Sequence, residues 1–283
     1  MKVLSLFDGI SCGMVALERA NIKVDEYVAY EIDKYAIQVS QKNYPQIQQK
    51  GSVVGADFTQ YKGFDLLIGG SPCQDLCAIG SRKGLKGEKS GLFYEYIRAL
   101  KEVKPAYFLL ENVASMTKEN RDIITSIMGV EPIEINSNFI SAQDRKRLYW
   151  TNIPFDEIPK DKGLCLRDIV QPESEKLDYD ITERMKAKVK GTLAYKKTWS
   201  NVRTLDRKFR CITATQGICN SGSTNISYPN GRYYKPTPIE CERGQTLPDN
   251  YTQGLSDTQR YKCIGNGWTV DVIAHIFKGL MTV

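Results

Sequence analysis

Over roughly the first 150 residues, short apolar runs alternate with stretches of helical periodicity. Val3–Phe7, Glu26–Tyr30, Asp65–Gly69 and Ala106–Glu111 are near-continuous apolar runs of strand length, and each reads as a buried strand. Cys12–Ala20, Lys34–Lys42, Gly91–Val103 and Glu119–Met128 place apolar residues at helical spacing. Leu148–Asn152 reads as one further strand. Strands alternating with helices predict an α/β fold with a mostly parallel sheet and helices on both faces. From Pro154 the periodicity weakens: 154–210 is rich in Lys, Asp and Glu, and 211–238 in Thr, Ser, Asn, Gly and Tyr. Helical pattern returns at Leu255–Ile264 and Trp268–Leu280. The expected organisation is a large domain of residues 1–154 and 236–283, interrupted by a small irregular domain over 155–235.

Composition narrows this little. The 283 residues are 25% charged and 41% hydrophobic, as in an ordinary globular protein. A net charge of +6 suits a polyanionic partner and serves solubility equally well. Eight scattered cysteines with no CxxC pair, and a single histidine, His275, disfavour a metal site, so none is expected. No apolar stretch approaches the ~20 residues of a membrane span. The start, Met1–Phe7, reads as a strand and not a signal peptide. Free thiols in a reducing cytoplasm are the simplest context, and a monomer the simplest state.

The chemistry gathers at predicted strand ends. The first strand runs into Phe7-Asp8-Gly9-Ile10-Ser11-Cys12-Gly13, a glycine-bearing turn of the kind that lets Rossmann-like folds bring backbone near a nucleotide-like cofactor. Alone, such a turn equally serves as a tight connection. There is no GxGxxG, which disfavours a dinucleotide. Glu31 lies just past the second strand, where an acidic residue holds ribose hydroxyls. Asp57 follows Gly55-Ala56 near another strand end. Two carboxylates so placed suit an adenosine-containing cofactor better than a phosphate-rich one.

The next strand delivers Ser71-Pro72-Cys73-Gln74. A thiol of ordinary acidity is only a few per cent ionised at neutral pH, and histidine is its usual activator. With one histidine in the chain, activation has to come from elsewhere. The following strand carries Leu109-Leu110-Glu111-Asn112-Val113, with a carboxylate in otherwise apolar surroundings. In Gln143-Asp144-Arg145-Lys146-Arg147, alternate residues of an extended segment would make Arg145 and Arg147 point together, toward a phosphate or toward Glu111.

Taken in order, these stretches resemble the DNA cytosine-5 methyltransferases. The matching residues are Phe7-Asp8-Gly9 to Gly13, Glu31, Asp57, Gly70-Ser71-Pro72-Cys73, Glu111-Asn112-Val113, Gln143-x-Arg145-x-Arg147, Thr237-Pro238-x-Glu240 through Gln245, and Gly265-Asn266-Gly267-x-x-Val270. Arg82 to Glu95 looks most like the animal de novo branch of that family. Two departures stand out: Gly267 and Cys77, where serine is common in the family.

The resemblance implies a Rossmann-like catalytic domain that uses S-adenosyl-L-methionine and acts on duplex DNA. It implies Cys73 as the nucleophile toward cytosine C6, Glu111 protonated against N3, and Arg145 and Arg147 steadying the pyrimidine and backbone phosphates. For the cofactor it implies Phe7 on the adenine, close approach at Gly9 and Gly13, Glu31 on the ribose, Ile32 on the adenine face and Asp57 on the adenine amino group. Asp8, Phe58, Pro72, Asn266 and Val270 complete the expected pocket. The loop Gln74–Ser90 would close over DNA, and 155–235 would read it through residues such as Lys186, Arg203, Arg207, Lys208 and Arg210. Two alternatives stay open. One is the same chemistry on RNA, although the transfer-RNA branch usually has Pro-Pro-Cys where this chain has Ser71-Pro72-Cys73. The other is an inactive binder, although such relatives lose the residues that Cys73, Glu111 and Glu31 supply.

Overall fold

The architecture is that of a computed structural model describing residues 1–72, 92–155, 157–187, 200–218 and 223–281. Cys73, Cys77 and the loop Gln74–Ser90 lie outside the described residues. The chain divides into two compact units: residues 1–135, 146–158 and 273–283 form the first, and 136–145 with 159–272 the second.

The first unit is built on a seven-stranded sheet. Its strands are β1 (Lys2–Leu6), β2 (Glu26–Tyr30), β3 (Gln48–Gln49), β4 (Leu66–Gly70), β5 (Tyr107–Val113), β6 (Ile133–Asn136) and β7 (Lys146–Thr151), in the order β3-β2-β1-β4-β5-β7-β6. Strands β3 to β5 run parallel and β7 runs antiparallel to β5. Helices α1 (Cys12–Arg19) and α2 (Lys34–Asn43) carry the chain from β1 outward through β2 to β3, and α3 (Phe93–Val103) precedes β5 on the other side. Right-handed crossovers put α1 and α2 on one face and a helix joining β4 to β5 on the opposite face. A further helix, α4 (Lys118–Met128), is capped by Thr117, whose side chain accepts from the Asn120 N–H, and ends at Gly129 in the left-handed region. The central strands are apolar throughout because both faces are covered: Leu4, Leu6, Val28, Leu67 and Leu110 are fully buried in one core with Tyr96 and Trp150. Gly69 is required by close packing, since a Cβ there would lie 2.9 Å from Tyr96 Cδ2 and 3.0 Å from the Leu6 carbonyl oxygen.

The second unit contains a three-stranded sheet of β8 (Val202–Thr204), β9 (Asn225–Ser227) and β10 (Tyr233–Tyr234), with β9 between the other two. Its core joins Ala142, Leu166, Phe209, Ile212, Ile226, Tyr261 and Ile264. These compact units divide the chain differently from the expected domains, because 136–145 and 236–272 pack with 159–235. Gln143 shows why: its amide donates to Gly244 O (3.1 Å) and Gln245 Oε1 (2.9 Å), and its oxygen accepts from the Ile212 N–H (2.8 Å). Periodicity locates an element but not the core it enters.

The helix Pro238–Gly244 starts on a capping box, with Thr237 Oγ1 accepting from the Glu240 N–H and Glu240 accepting from the Thr237 N–H. Glu240 also pairs with Lys176 at 2.6 Å, and neither side chain is exposed. Tyr228 and Tyr234 flank the ammonium, each ring centroid 5.0 Å away. Removing one partner of a buried pair leaves an uncompensated charge, so Lys176→Met is expected to destabilise the protein by about 3–5 kcal/mol. Adding Glu240→Gln should restore part of that loss: it removes the uncompensated charge, but its amide nitrogen replaces an oxygen that accepts a backbone N–H from Gln171 or Thr237. Denaturant midpoints of the single and double variants check it; a double variant as unstable as the single one contradicts it.

Lys208 is not a surface phosphate ligand. Its ammonium donates to the carbonyls of Asn138 (2.7 Å), Ser141 (3.2 Å) and Leu164 (2.5 Å) and so belongs to the interior of the second unit. Among the described residues, no helix is long and apolar enough to cross a membrane, and no group of three or more His, Cys, Asp or Glu could hold a metal ion.

Candidate active site

Strand order reverses between β1 and β4, because the chain leaves β1 toward β2 and later resumes at β4 on the other side. In open α/β sheets such a switch point, at the carboxyl ends of the strands, is where ligands bind. The segments leaving there are Phe7–Gly13 after β1 and Ser71-Pro72 after β4.

The turn after β1 is unusual backbone. Phe7, Gly9 and Ser11 all take left-handed conformations, with φ of 58°, 60° and 60°. For Phe7 and Ser11 this is a strained choice that surrounding contacts must enforce. Asp8 supplies several of them: its carboxylate accepts from the hydroxyls of Ser5 (2.6 Å), Tyr27 (2.7 Å) and Ser11. A Cβ on Gly9 would meet nothing within 4 Å, so glycine serves the positive φ and not tight packing against protein. Gly13 lies buried within α1.

Burial raises the Asp8 carboxyl to about 6, against the pull of its three hydroxyl donors and with a small contribution from Glu31. A raised carboxyl favours the folded state while protonated, and that stability is lost as pH rises from the ordinary carboxylate range through about 6. Asp8→Asn keeps the size, and Ser11 Oγ can accept from the new amide while donating to Ser40 Oγ, 2.6 Å away. The variant is expected to be more stable than wild type by about 1–3 kcal/mol at pH 8 and equal to it near pH 4. Chemical denaturation at the two values checks this; an advantage independent of pH contradicts it.

Glu31 closes the other side of the turn. Its Oε2 accepts from the Gly9 N–H, and its Oε1 accepts from the N–H groups of Ile32 and Asp33, all at 2.8 Å. An ionised carboxylate only accepts, with about four lone-pair sites, so it retains capacity for hydroxyl donors. Ile32 beside it is 76% exposed, a solitary apolar surface. Asp57 is exposed, and the hydroxyl and N–H of Thr59 hold its carboxyl below the usual carboxylate range. Phe58 departs from expectation. Its ring is buried in the core, edge-on to Tyr30 at 5.3 Å, and its N–H donates to Glu102 (3.1 Å), so it faces protein and not a cofactor.

On the other flank, Gly70 lies opposite Glu111 in the parallel β4–β5 pair. Asn112 locks the two strand ends together by donating to the Ser71 carbonyl (3.3 Å) and hydroxyl (3.1 Å). Cys73 follows Pro72 directly in sequence. Strand β7 brings Arg147 opposite Val113. Glu111 and Val113 share a face, so Arg147 meets Glu111 on the diagonal, within reach of a long side chain. Arg147 Nε lies 2.7 Å from Glu111 Oε1, with side-chain exposures of only 14% and 11%.

Arg145 corrects the expectation of paired arginines. Alternation holds within a strand, and β7 begins at Lys146. The Arg145 guanidinium is buried in the second unit, donating to the carbonyls of Ile212 (2.9 Å), Gly267 (2.9 Å) and Gly265 (3.4 Å). It is committed to holding backbone. Asn266 is exposed at the end of the helix Asp257–Asn266, whereas Val270 is fully buried in the second unit, its N–H donating to Gln245 O at 3.0 Å. The lone histidine takes no part in the site: His275 Nε2 meets the Glu157 carbonyl at 2.8 Å and its ring packs edge-on against Phe155.

A family described as C-5 cytosine-specific DNA methylase matches residues 1–282. The chain belongs to that family. It is 25% identical over 307 residues to the Type II methyltransferase M.NlaX of Neisseria lactamica, covering 97% of this chain and 94% of that protein. It is 34% identical over 178 residues, 57% of this chain, to the orphan methyltransferase M.Rho11sI of Bacillus phage rho11s. That match spans only 35% of the phage protein's length, and 44% of the length of the similar M.SPRI from Bacillus phage SPR. Among solved structures, the S. pombe Dnmt2 methyltransferase superposes with a TM-score of 0.79 at 18% identity, covering 100% of this chain and 98% of the other. The Entamoeba histolytica methyltransferase EhMeth gives 0.79 at 21%, with the same coverage. At those identities the likeness establishes the fold, which is Rossmann-like.

Proposed function

We propose that this protein methylates C5 of cytosine in duplex DNA with S-adenosyl-L-methionine as methyl donor. The observation that carries this is the Glu111–Arg147 pair beside the Asn112–Ser71 lock, which together place a carboxylate next to the strand end leading into Cys73.

The donor set fits the methyl donor. Glu31 and Asp57 are acceptors suited to ribose hydroxyls and an adenine amino group, Ile32 offers an exposed apolar face, and the turn 7–13 carries no cation for phosphate. When bound, S-adenosyl-L-methionine supplies an electrophilic methyl group on a sulfonium. The protein's part is to make C5 nucleophilic. The Cys73 thiolate adds to C6 while Glu111 gives a proton or hydrogen bond to N3, which draws electrons from the ring. Arg147 holds Glu111 in place. C5 takes the methyl as its bond to the sulfonium breaks, leaving S-adenosylhomocysteine. H5 then leaves to a base such as water, the C5–C6 double bond re-forms as Cys73 departs as the thiolate, and the N3 proton returns to Glu111. The reacting carbon is out of reach inside a stacked duplex, so the base is flipped out at a cost of a few kcal/mol. The second unit would supply DNA contacts, with Arg207 and Arg210 still on its surface.

The test is transfer of labelled methyl to sequence-diverse duplex DNA and, separately, to transfer RNA. Label in DNA recovered as 5-methylcytosine supports the reading. Label in RNA alone, or in neither, overturns it. Ser71 bears on this choice, because the hydroxyl that Asn112 holds would be absent if proline stood there.

A further inference from the structure

Asp57 sits on a segment without regular structure, between the positive-φ residue Gly55 and the short helix Thr59–Tyr61. One oxygen of its exposed carboxylate accepts the Thr59 N–H (2.9 Å) and hydroxyl (2.6 Å), so the carboxylate's direction follows the backbone of this segment, which something must fix on either side. Arg98, from the middle of α3, does so. Its Nη1 donates to the Ala56 carbonyl at 2.6 Å and its Nη2 to the Val53 carbonyl at 3.2 Å. The guanidinium lies over the Phe58 ring, 4.5 Å from the centroid. One planar group therefore grips the chain immediately before and immediately after Asp57.

The grip is itself braced. Glu95 accepts from Arg98 Nε (3.0 Å) and Nη2 (2.7 Å), and Glu102 accepts from Nη1 at 3.2 Å. Glu102 also accepts the Phe58 N–H at 3.1 Å, so arginine and carboxylate hold opposite ends of the same short segment. Two carboxylates on one guanidinium exceed what a single exposed ion pair needs. The arrangement fits a rigid fork aimed at two carbonyls, a geometry an ammonium cannot copy.

We infer that Arg98, braced by Glu95 and Glu102, is a positioning residue that sets Asp57 for recognition of the adenine amino group. This rests on the reading of Asp57 given above. The consequence is selective: loosening the grip removes discrimination at the base, whereas a general loss of stability weakens binding of every analogue alike.

The experiment measures calorimetric affinities of the full chain for S-adenosylhomocysteine and for S-inosylhomocysteine, which has a carbonyl where adenine has its amino group. Wild type is expected to prefer the adenine form by about tenfold or more, the worth of a hydrogen bond to a charged group. Arg98→Lys should reduce the preference to within about twofold, and Asp57→Ala combined with it should add little. Should the lysine variant not fold, Glu102→Gln, which keeps size and an acceptor for the Phe58 N–H but withdraws the charge from Arg98, should lower the preference in the same direction. A folded Arg98→Lys or Glu102→Gln protein with the wild-type preference intact overturns the inference. A wild type that binds neither compound overturns the cofactor reading, and this inference with it.

Discussion

Cys73→Ala is expected to transfer no measurable methyl to DNA, a loss on the order of 10⁴-fold or more, while still binding S-adenosylhomocysteine and duplex DNA. The size follows from the chemistry. Cytosine C5 is a poor nucleophile, and addition at C6 converts it to an enamine carbon that can attack a sulfonium methyl. Without the thiol at position 73 that route is closed, and the single histidine is tied to the Glu157 carbonyl. A second measurement separates lost chemistry from lost folding. In a duplex carrying 5-fluorocytosine, the C5 substituent cannot leave as a proton, so the wild-type adduct persists and survives denaturation. The alanine variant should form none. An alanine variant retaining a rate within tenfold of wild type would falsify covalent catalysis by Cys73.

How far the sequence foretold this site depends on what each residue answers to. Central strands covered on both faces must be apolar along their length, so a carboxylate such as Glu111 within β5, or Glu31 just past β2, stands out without any structure. The same logic fails for β6 and β8 to β10, each two to four residues long and too short to show a period. The helix Pro238–Gly244 is marked by Thr237-Pro238-x-Glu240, a capping box with proline in the first turn, a stronger structural signal than its short apolar content suggests.

Side-chain direction was the least legible level. Arg145 and Arg147 are two apart, yet the strand starts between them, and their guanidinium groups serve different units. Phe58 follows an exposed aspartate in the chain, but Tyr30 and Arg98 make it core. The residues that hold the site together, Asn112 on Ser71 and Arg98 on the Asp57 segment, act through backbone carbonyls many positions away. Only the apolar period of α3, which leaves Arg98 half-buried among aromatic and acidic neighbours, hints at such a role.

The same distinction between chemistry and support governs Glu111. Glu111→Gln keeps the volume and retains an N–H donor that can face cytosine N3, but it cannot deliver a proton and cannot balance the charge of Arg147. General acid catalysis contributes about 10²–10⁴-fold, so kcat is expected to fall by that factor with the affinity for S-adenosylhomocysteine unchanged. Stability should fall as well, since Arg147 loses its carboxylate partner at 2.7 Å while its Nη1 still donates to the Lys146 carbonyl. The rate is therefore expressed per folded molecule. The two effects separate in a companion variant. Arg147→Lys leaves a carboxylate that can still take up and deliver a proton but replaces a planar fork with a point charge, so it should lose much less in kcat than Glu111→Gln at comparable loss of stability. If the two variants lost kcat equally, Glu111 would be acting only as the partner of Arg147, and the proton it is assigned toward N3 would have to come from water.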